Sequence, residues 1–454
     1  MKVALRFLIF TVTYYLGTIP RTVRPGLSRP FILAVIVAAT SGDIAAQNLQ
    51  AVPNPALVDQ SVTIRATGLK PDERVTMDAE LTDGAGARWS SQAQFVADEQ
   101  GAIDTATQAP IEGSYKNVSG PGLIWSMRPI DKRVANYRAP EKLGPQTVEF
   151  RLIRGGQQVS DVTLRQLRVA DGVKQIPVQG ELHGILFLPA GDGPNPALLV
   201  VGGSEGGVPT GKAVWLAGHG YAAFALAYFR YENLSRDLEN IPLEYFGRAI
   251  AWMMKRSEIE PDRIGVMGTS RGGELALQLG SMYPQVKAVV AYVPANVRYS
   301  ACCGGTDVPY AWTWRGQPLS YLLPRNQSDP MMKMHAEIAT ENTDGPILMI
   351  GAEDDGIWES SRMVEEVAGR LERAHFKYAV EVLKYPHAGH RAGRPEIIPM
   401  WHGATIHPVS GRETNFGGTP PGDAASSLDA IPKVLDFLRK SLGATAPGGE
   451  AATK

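Results

Sequence analysis

Cysteine is almost missing from the 454-residue chain: it has two, adjacent at Cys302-Cys303. That excludes a disulfide framework and a cysteine-rich zinc or iron–sulfur site. Neither sign of charge is in excess. The chain carries 45 Lys and Arg against 46 Asp and Glu, a net −1. That balance argues against a nucleic-acid binder, which carries a basic excess or stripe. Long apolar runs are lacking too: none reaches the ~18 residues of a spanning helix. There is no internal repeat, and no His falls between Gln47 and Val173. What remains is enough for a folded protein. Hydrophobic residues make up 44% and charged residues 20%, which permits a buried core. The length suggests two to three domains, and 48 Gly with 33 Pro imply many turns.

Residues 1–46 differ from the rest. They hold five cations (Lys2, Arg6, Arg21, Arg24, Arg29), one anion (Asp43), and two apolar runs, Phe7–Leu16 and Phe31–Thr40. The second run follows Arg24-Pro-Gly-Leu-Ser-Arg-Pro30 and leads into Ile44-Ala-Ala-Gln47. A cationic region, a short apolar core and small residues at a cleavage point are the layout of a secretory signal. The expected cleavage follows Ala46; an uncleaved anchor is the alternative. The first apolar run is surplus to such a signal, so the true start is expected beyond Met1–Pro20. Without the leader the chain carries −5 and is expected to be soluble, with no stable membrane span.

From Gln47 to Val173 the pattern has period two. Ser61–Thr67, Arg74–Leu81 and Val148–Ile153 alternate, and turn signals at Lys70-Pro-Asp72, Asp83-Gly-Ala-Gly86 and Arg154-Gly-Gly156 separate such runs. Short alternating strands with these turns predict a β-sandwich over 47–173. From about residue 174 to 443 the grammar changes. Apolar strands (Gly184–Leu188, Pro196–Val201, Ala222–Ala227, Ile264–Met267, Ala288–Tyr292, Pro346–Ile350, Tyr378–Leu383) alternate with helical stretches (Lys212–His219, Leu243–Lys255, Gly272–Met282, Ser361–Arg373, Leu428–Leu442). This predicts an α/β domain with a mostly parallel sheet covered on both faces. Ala444–Lys454 reads as a small-residue tail.

Gly268-Thr-Ser270-Arg-Gly272 is G-x-S-x-G. Alone the string is weak; here an apolar strand precedes it and a helix follows. That context is a nucleophile elbow, whose strained turn needs small flanking residues. A serine needs a base, and the base an orienting acid, in the chain order Ser, acid, His. Asp354, just after the strand ending at Ile350, is the first choice for the acid, with Asp355 in reserve. Their other readings are an N-cap for the helix at Ser361 or Mg-like acidic loop chemistry. His390, in Tyr385-Pro-His-Ala-Gly-His390 beyond the last core strand, is the expected base, and His387 its near rival. His375 falls at a helix end. His402 and His407 fall in a Pro/Gly-rich excursion and are expected at the surface or lining a pocket. The oxyanion hole should combine the Arg271 N–H with one from Val201-Gly-Gly-Ser-Glu-Gly-Gly207: that of Ser204, with Glu205 as alternate. This loop lacks the Lys-Ser/Thr that a phosphate-binding P-loop needs.

These residues resemble a known family. Gly206-Gly207, Ala217-Gly-His-Gly-Tyr-Ala222, Ala225-Leu-Ala-Tyr-Phe229, Tyr231-Glu-Asn-Leu234, Leu243-Glu-Tyr-Phe246 and Ser270-Arg-Gly-Gly-Glu-Leu275 look like the C-terminal domain of acyl-CoA thioesterases and bile-acid-CoA:amino acid N-acyltransferases. Gly351–Trp358, Ser360 and Tyr385–His390 fit the same family. Val62–Pro71 and Gly122-Leu-Ile-Trp-Ser-Met127 are similar to its N-terminal, immunoglobulin-like domain. The resemblance spans about residues 55–440. It implies an α/β-hydrolase fold behind a β-sandwich, and maps Ser270, Asp354 and His390 onto the family's triad. The N-acyltransferase branch uses Cys as nucleophile, so Ser270 favours hydrolysis. The chain departs from the family pattern after His390, where it reads Arg391-Ala-Gly-Arg-Pro-Glu-Ile-Ile-Pro399, and again over Tyr299–Asp329. The cysteine pair in that second stretch is expected as two packed thiols rather than a vicinal disulfide.

The expected activity is hydrolysis of an acyl thioester or ester through an acyl-enzyme, without metal or cofactor. The family implies acyl-CoA, whereas the leader implies export, where CoA is scarce. The alternatives are an exported carboxylesterase and an acyltransferase to an amine or alcohol. From another class comes a binding protein on a retired hydrolase fold. The expected partner is a small acyl thioester or ester, with no nucleic acid.

Overall fold

The computed structural model describes residues 47–303, 308–323, 326, 328 and 329–443. The leader over 1–46, with its cleavage point, and the tail over 444–454 lie outside the described residues.

The first part is antiparallel. Arg74–Thr82 pairs with Arg88–Val96 and with Gln146–Arg154, which in turn pairs with Gln157–Leu167. Asn48–Val52, Thr63–Thr67 and Ile103–Asp104 form a smaller sheet. Burial alternates along these strands, as period two requires when one face meets a core. Inward residues of both sheets, including Ile64, Met77, Trp89, Phe95 and Phe150, share one buried cluster. The pairing is not wholly antiparallel: Ala56–Leu57 runs parallel to the Gln157–Leu167 strand.

The second part is an eight-stranded sheet. Its strands in chain order are β1 (Lys174–Val178), β2 (His183–Leu188), β3 (Asn195–Val201), β4 (Ala222–Ala227), β5 (Ile259–Thr269), β6 (Val286–Tyr292), β7 (Ile347–Ala352) and β8 (Val380–Tyr385). Across the sheet the order is β1-β2-β4-β3-β5-β6-β7-β8. The β1–β2 and β2–β4 pairs are antiparallel and the rest parallel. Helices α1 (Thr210–Gly218), α2 (Glu244–Met254), α3 (Arg271–Met282), α4 (Ser360–Arg373) and α5 (Pro420–Leu442) cover it. Neighbouring residues on one strand enter different cores. Leu199 joins the cluster holding side chains of α2, α3 and α4. Leu198 and Val200 join the one holding α1 and α5. Burial on both faces explains why these strands read as continuous apolar runs rather than alternating ones.

Helix α5 starts at Pro420, eight residues before the expected Leu428. The Thr419 hydroxyl caps it by accepting from Gly422 N–H at 3.2 Å, and two prolines occupy its first turn. Proline is at home there, because the first helical amides have no partner to lose. Within what reads as a Pro/Gly-rich excursion, that signal marks a helix start.

A parallel sheet presents its loops at the carboxyl ends of its strands. The loops after β3, β5, β7 and β8 carry Ser204, Ser270, Asp355 and His390.

Candidate active site

Ser270 sits between β5 and α3 with φ 58° and ψ −121°, a left-handed conformation costly for a residue with a Cβ. The glycines that flank it have a steric cause. A Cβ on Gly268 would lie 1.9 Å from the Gly272 carbonyl oxygen, and one on Gly272 would lie 2.3 Å from that of Gly202. The elbow therefore fits only where its neighbours are bare backbone. Ser270 N–H donates to Tyr292 O at 2.9 Å, which fixes the turn to β6.

The Ser270 hydroxyl lies 2.8 Å from His390 Nε2. On the other side of the ring, Nδ1 lies 2.9 and 2.8 Å from the two carboxylate oxygens of Asp355. A carboxylate only accepts, so this contact puts the proton on Nδ1 and leaves Nε2 to accept from Ser270. Asp355 is itself held: it accepts from the Ser360 hydroxyl at 2.6 Å and from Ile357 N–H at 2.9 Å. Its side chain is fully buried and that of His390 is 6% exposed. Phe416 stacks on the imidazole and Trp358 meets it edge-on. The acid facing His390 is thus Asp355, the reserve choice, and not Asp354. Asp354 points away, half exposed, with its carboxylate 3.5 Å from the exposed His387 ring. Successive side chains leave the loop after β7 in opposite directions, and the turn alone decides which faces inward. His387, the rival base, is correspondingly outside the site.

The Gly202–Gly207 loop abuts the elbow: a Cβ on Gly203 would come within 3.3 Å of Ser270 Cβ. Among the described residues, neither the Arg271 nor the Ser204 main-chain N–H has a protein acceptor. The side chain of Glu205 folds back, accepting from Gly203 N–H at 3.1 Å. The Arg271 guanidinium donates to the carbonyls of Ser300 and Tyr299, tying the elbow to the loop that carries the cysteines. Cys302 and Cys303 are joined as a vicinal disulfide rather than standing as two thiols.

His407, expected at the surface or lining a pocket, takes the second place, and nothing local in the sequence points to its partner. It lines the cavity, and its Nε2 lies 3.0 Å from the Ser204 hydroxyl. Nδ1 accepts from Val409 N–H and Ser410 N–H, each at 3.2 Å. Nε2 must then carry the proton and donate to Ser204. Burial pushes the His407 imidazole below its usual range, against the pull of Glu205. His402, by contrast, is buried against Asp423 at 3.0 Å rather than at the surface. Ser270 and His390 open on a cavity of about 790 Å³, with Tyr299, the cysteine pair and Trp358 on its walls. Among the described residues, no group of three or more His, Cys, Asp or Glu is placed to hold a metal.

Residues 59–180 match the acyl-CoA thioester hydrolase/BAAT N-terminal region, and residues 241–308 and 316–444 match the BAAT/acyl-CoA thioester hydrolase C-terminal model. The chain belongs to the acyl-CoA thioester hydrolase/BAAT family. It is 31% identical to acyl-coenzyme A thioesterase 1 of Mus musculus over 403 residues, 85% of this chain and 94% of that one. It is 30% identical to the peroxisomal succinyl-coenzyme A thioesterase of Mus musculus over 408 residues, 85% of this chain and 94% of the relative. Among solved structures, an α/β hydrolase from a Medee basin deep-sea metagenome library aligns with TM-score 0.37 and 16% identity, over 60% of this chain and 99% of that one. A puromycin-hydrolyzing peptidase of Mycobacterium tuberculosis aligns with TM-score 0.43 and 12% identity, over 89% and 69%. Membership of the family covers both parts of the chain, the β-rich one as well as the one that carries Ser270.

Proposed function

We propose that this chain is a serine hydrolase of acyl thioesters, with Ser270 as nucleophile, His390 as general base and acid, and Asp355 as the group that orients the imidazole. The observation that carries this reading is the unbroken chain Ser270 Oγ–His390 Nε2, His390 Nδ1–Asp355. His390 takes the Ser270 proton as Oγ attacks the carbonyl, and Asp355 stabilises the imidazolium. The negative charge that develops on the carbonyl oxygen meets the Arg271 and Ser204 amides, preorganised at a helix start and a glycine loop. His390 then protonates the departing thiol. Water, activated by the same imidazole, releases the acid from Ser270. The acyl-enzyme needs no group beyond these residues.

The test pairs two measurements on Ser270→Ala and the unaltered protein: labelling by a fluorophosphonate and turnover of a panel of acyl-CoAs and simple esters. Loss of labelling and of about three or more orders of magnitude in kcat is expected. Near-full turnover without the hydroxyl removes the reading.

A second reading follows from residues 1–46. If they act as a secretory signal cut after Ala46, the protein works where CoA is scarce, and its substrate is a different ester or thioester. Cell fractionation with N-terminal sequencing decides: a cytoplasmic chain starting near Met1 restores acyl-CoA. Among the described residues, no helix is long and apolar enough to cross a membrane.

A further inference from the structure

The catalytic cavity has a basic side that the hydrolytic chemistry leaves unused. Arg391, Arg394 and Arg412 line it, together with Glu205 and Glu413. Arg394 also lines an adjoining cavity of about 260 Å³, beside Glu205, Lys212 and Glu396. Its Nε is buried without a hydrogen-bond partner, and among the described residues no carboxylate forms a close ion pair with it, although Glu396 feels its charge. The two acids of that adjoining cavity are already engaged. Glu396 takes Arg168 at 2.6 Å, and Glu205 accepts from Gly203 N–H.

Arg391 stands in the same condition. Its guanidinium lies 4.5 Å over the Phe416 ring, and its side chain donates to a neutral acceptor, Asn136 Oδ1, at 3.0 Å. Burial, and then the neighbouring Arg394, push this guanidinium down to about 9. The same two causes push the Lys212 ammonium down to about 8, against the pull of Glu396 and Glu205. Arg391 and Arg394 therefore share the wall of the catalytic cavity, with Lys212 beside Arg394 in the adjoining one. Buried cations without a close counter-charge are costly to hold, and an anion placed between two guanidinium groups offsets that cost.

We propose that Arg391 and Arg394 form an anion subsite in the catalytic cavity, which takes a carboxylate or phosphate that the substrate carries away from its reacting carbonyl. The inference rests on reading this cavity as a hydrolase site. The guanidinium fork matches a carboxylate and a phosphate equally well. The anion therefore has two sources: the far end of a dicarboxylic acyl group, or the phosphates of a CoA-type leaving group.

Three thioesters separate them. Hexanoyl-N-acetylcysteamine is neutral at both ends, adipoyl-N-acetylcysteamine adds an acyl carboxylate, and hexanoyl-CoA adds phosphates. The readout is the ratio of kcat/KM for each anionic substrate to that for the neutral one. In Arg391→Gln/Arg394→Gln at least one ratio should fall about ten- to a hundredfold, and Arg394→Lys should recover part of it. A fall confined to adipoyl assigns the anion to the acyl side, and one confined to CoA assigns it to the leaving group. Unchanged ratios overturn the proposal, as does equal loss on all three substrates.

A second measurement needs no turnover. Adipate or inorganic phosphate should raise the Tm of Ser270→Ala protein, and the double substitution should abolish that rise. No rise with either anion counts against the subsite. Failure of the unaltered protein to label with fluorophosphonate counts against the hydrolase reading instead, and leaves the Tm test of the subsite standing.

Discussion

Asp354 and Asp355 are adjacent, identical in chemistry and opposite in circumstance. One is half exposed beside His387, and the other is sealed under His390 with Ser360 and two main-chain amides as donors. Asp355→Asn should lower kcat by about 10⁴, because the amide no longer fixes the Nδ1–H tautomer; Asp354→Asn should stay within about threefold. Steady-state kinetics on both variants checks this, and the reverse ranking would return the role to Asp354. His407 makes a pH prediction. Its folded pKa lies below the ordinary value near 6.5. The folded state thus binds fewer protons than the unfolded one, and stability is present above that value and lost as pH falls through the folded pKa. Protonation at Nδ1 would also oppose Val409 N–H and Ser410 N–H with a third donor. Melting curves between pH 7.5 and 5 should fall less steeply for His407→Gln than for the parent. Parallel curves would remove His407 from the acid response.

The elbow and the closing helix are the elements whose sequence signals have the plainest causes. At the elbow the constraint is contact between backbones, so Gly272→Ala should fail even though alanine is small. The new Cβ meets the Gly202 carbonyl, on the same loop that presents Ser204. Lower Tm and lost esterase activity are expected together; an active, equally stable variant would show that the loop can yield. At the start of α5 the Thr419 hydroxyl is the cap. Thr419→Ala should cost about 1 kcal/mol in chemical denaturation, and Thr419→Ser close to nothing. The elbow was legible because its glycines have no other residue to substitute for them. The helix start was not, because two prolines and three nearby glycines read locally as loop. The buried residues of its first two turns are Gly422, Asp423, Ala424, Ser426 and Ser427, small or polar ones with no apolar period to read.

On the scale of the whole molecule, the β-rich part shares in the site without contributing a catalytic group. Asn136 accepts from Arg391. Asp59 takes both Trp215 Nε1 and His219 Nε2, on and beside α1. Arg168 pairs with Glu396, in the segment just beyond His390, with side-chain exposures of 5% and 20%. Burial acts to raise the Glu396 pKa, but the attraction of Arg168 and then Arg394 holds it below the usual range. This pair therefore contributes above the ordinary carboxylate value near 4.3, and its contribution is lost as pH falls below it. Glu396→Gln leaves Arg168 buried and should cost about 3–5 kcal/mol, whereas Arg168→Met with Glu396→Met should cost less. Urea unfolding of the three proteins measures the difference, and equal losses would mean that the pair has no special part in joining the two sheets.

The sequence by itself determined the two grammars, period two and then strand–helix alternation. It also marked Ser270 between its glycines, the proposed nucleophile, and the histidine beyond the last strand. Each of these is a local consequence of pleat, helix period or backbone contact, and so is written within a few residues. The tertiary structure decided which of two neighbouring aspartates faces the imidazole, and that His407 reaches Ser204 across 203 positions. It also gathered Arg391 and Arg394 on one wall of the cavity. Those facts depend on the direction a side chain takes as it leaves a loop and on what the folded chain brings opposite it, neither of which has a period or a spacing to read.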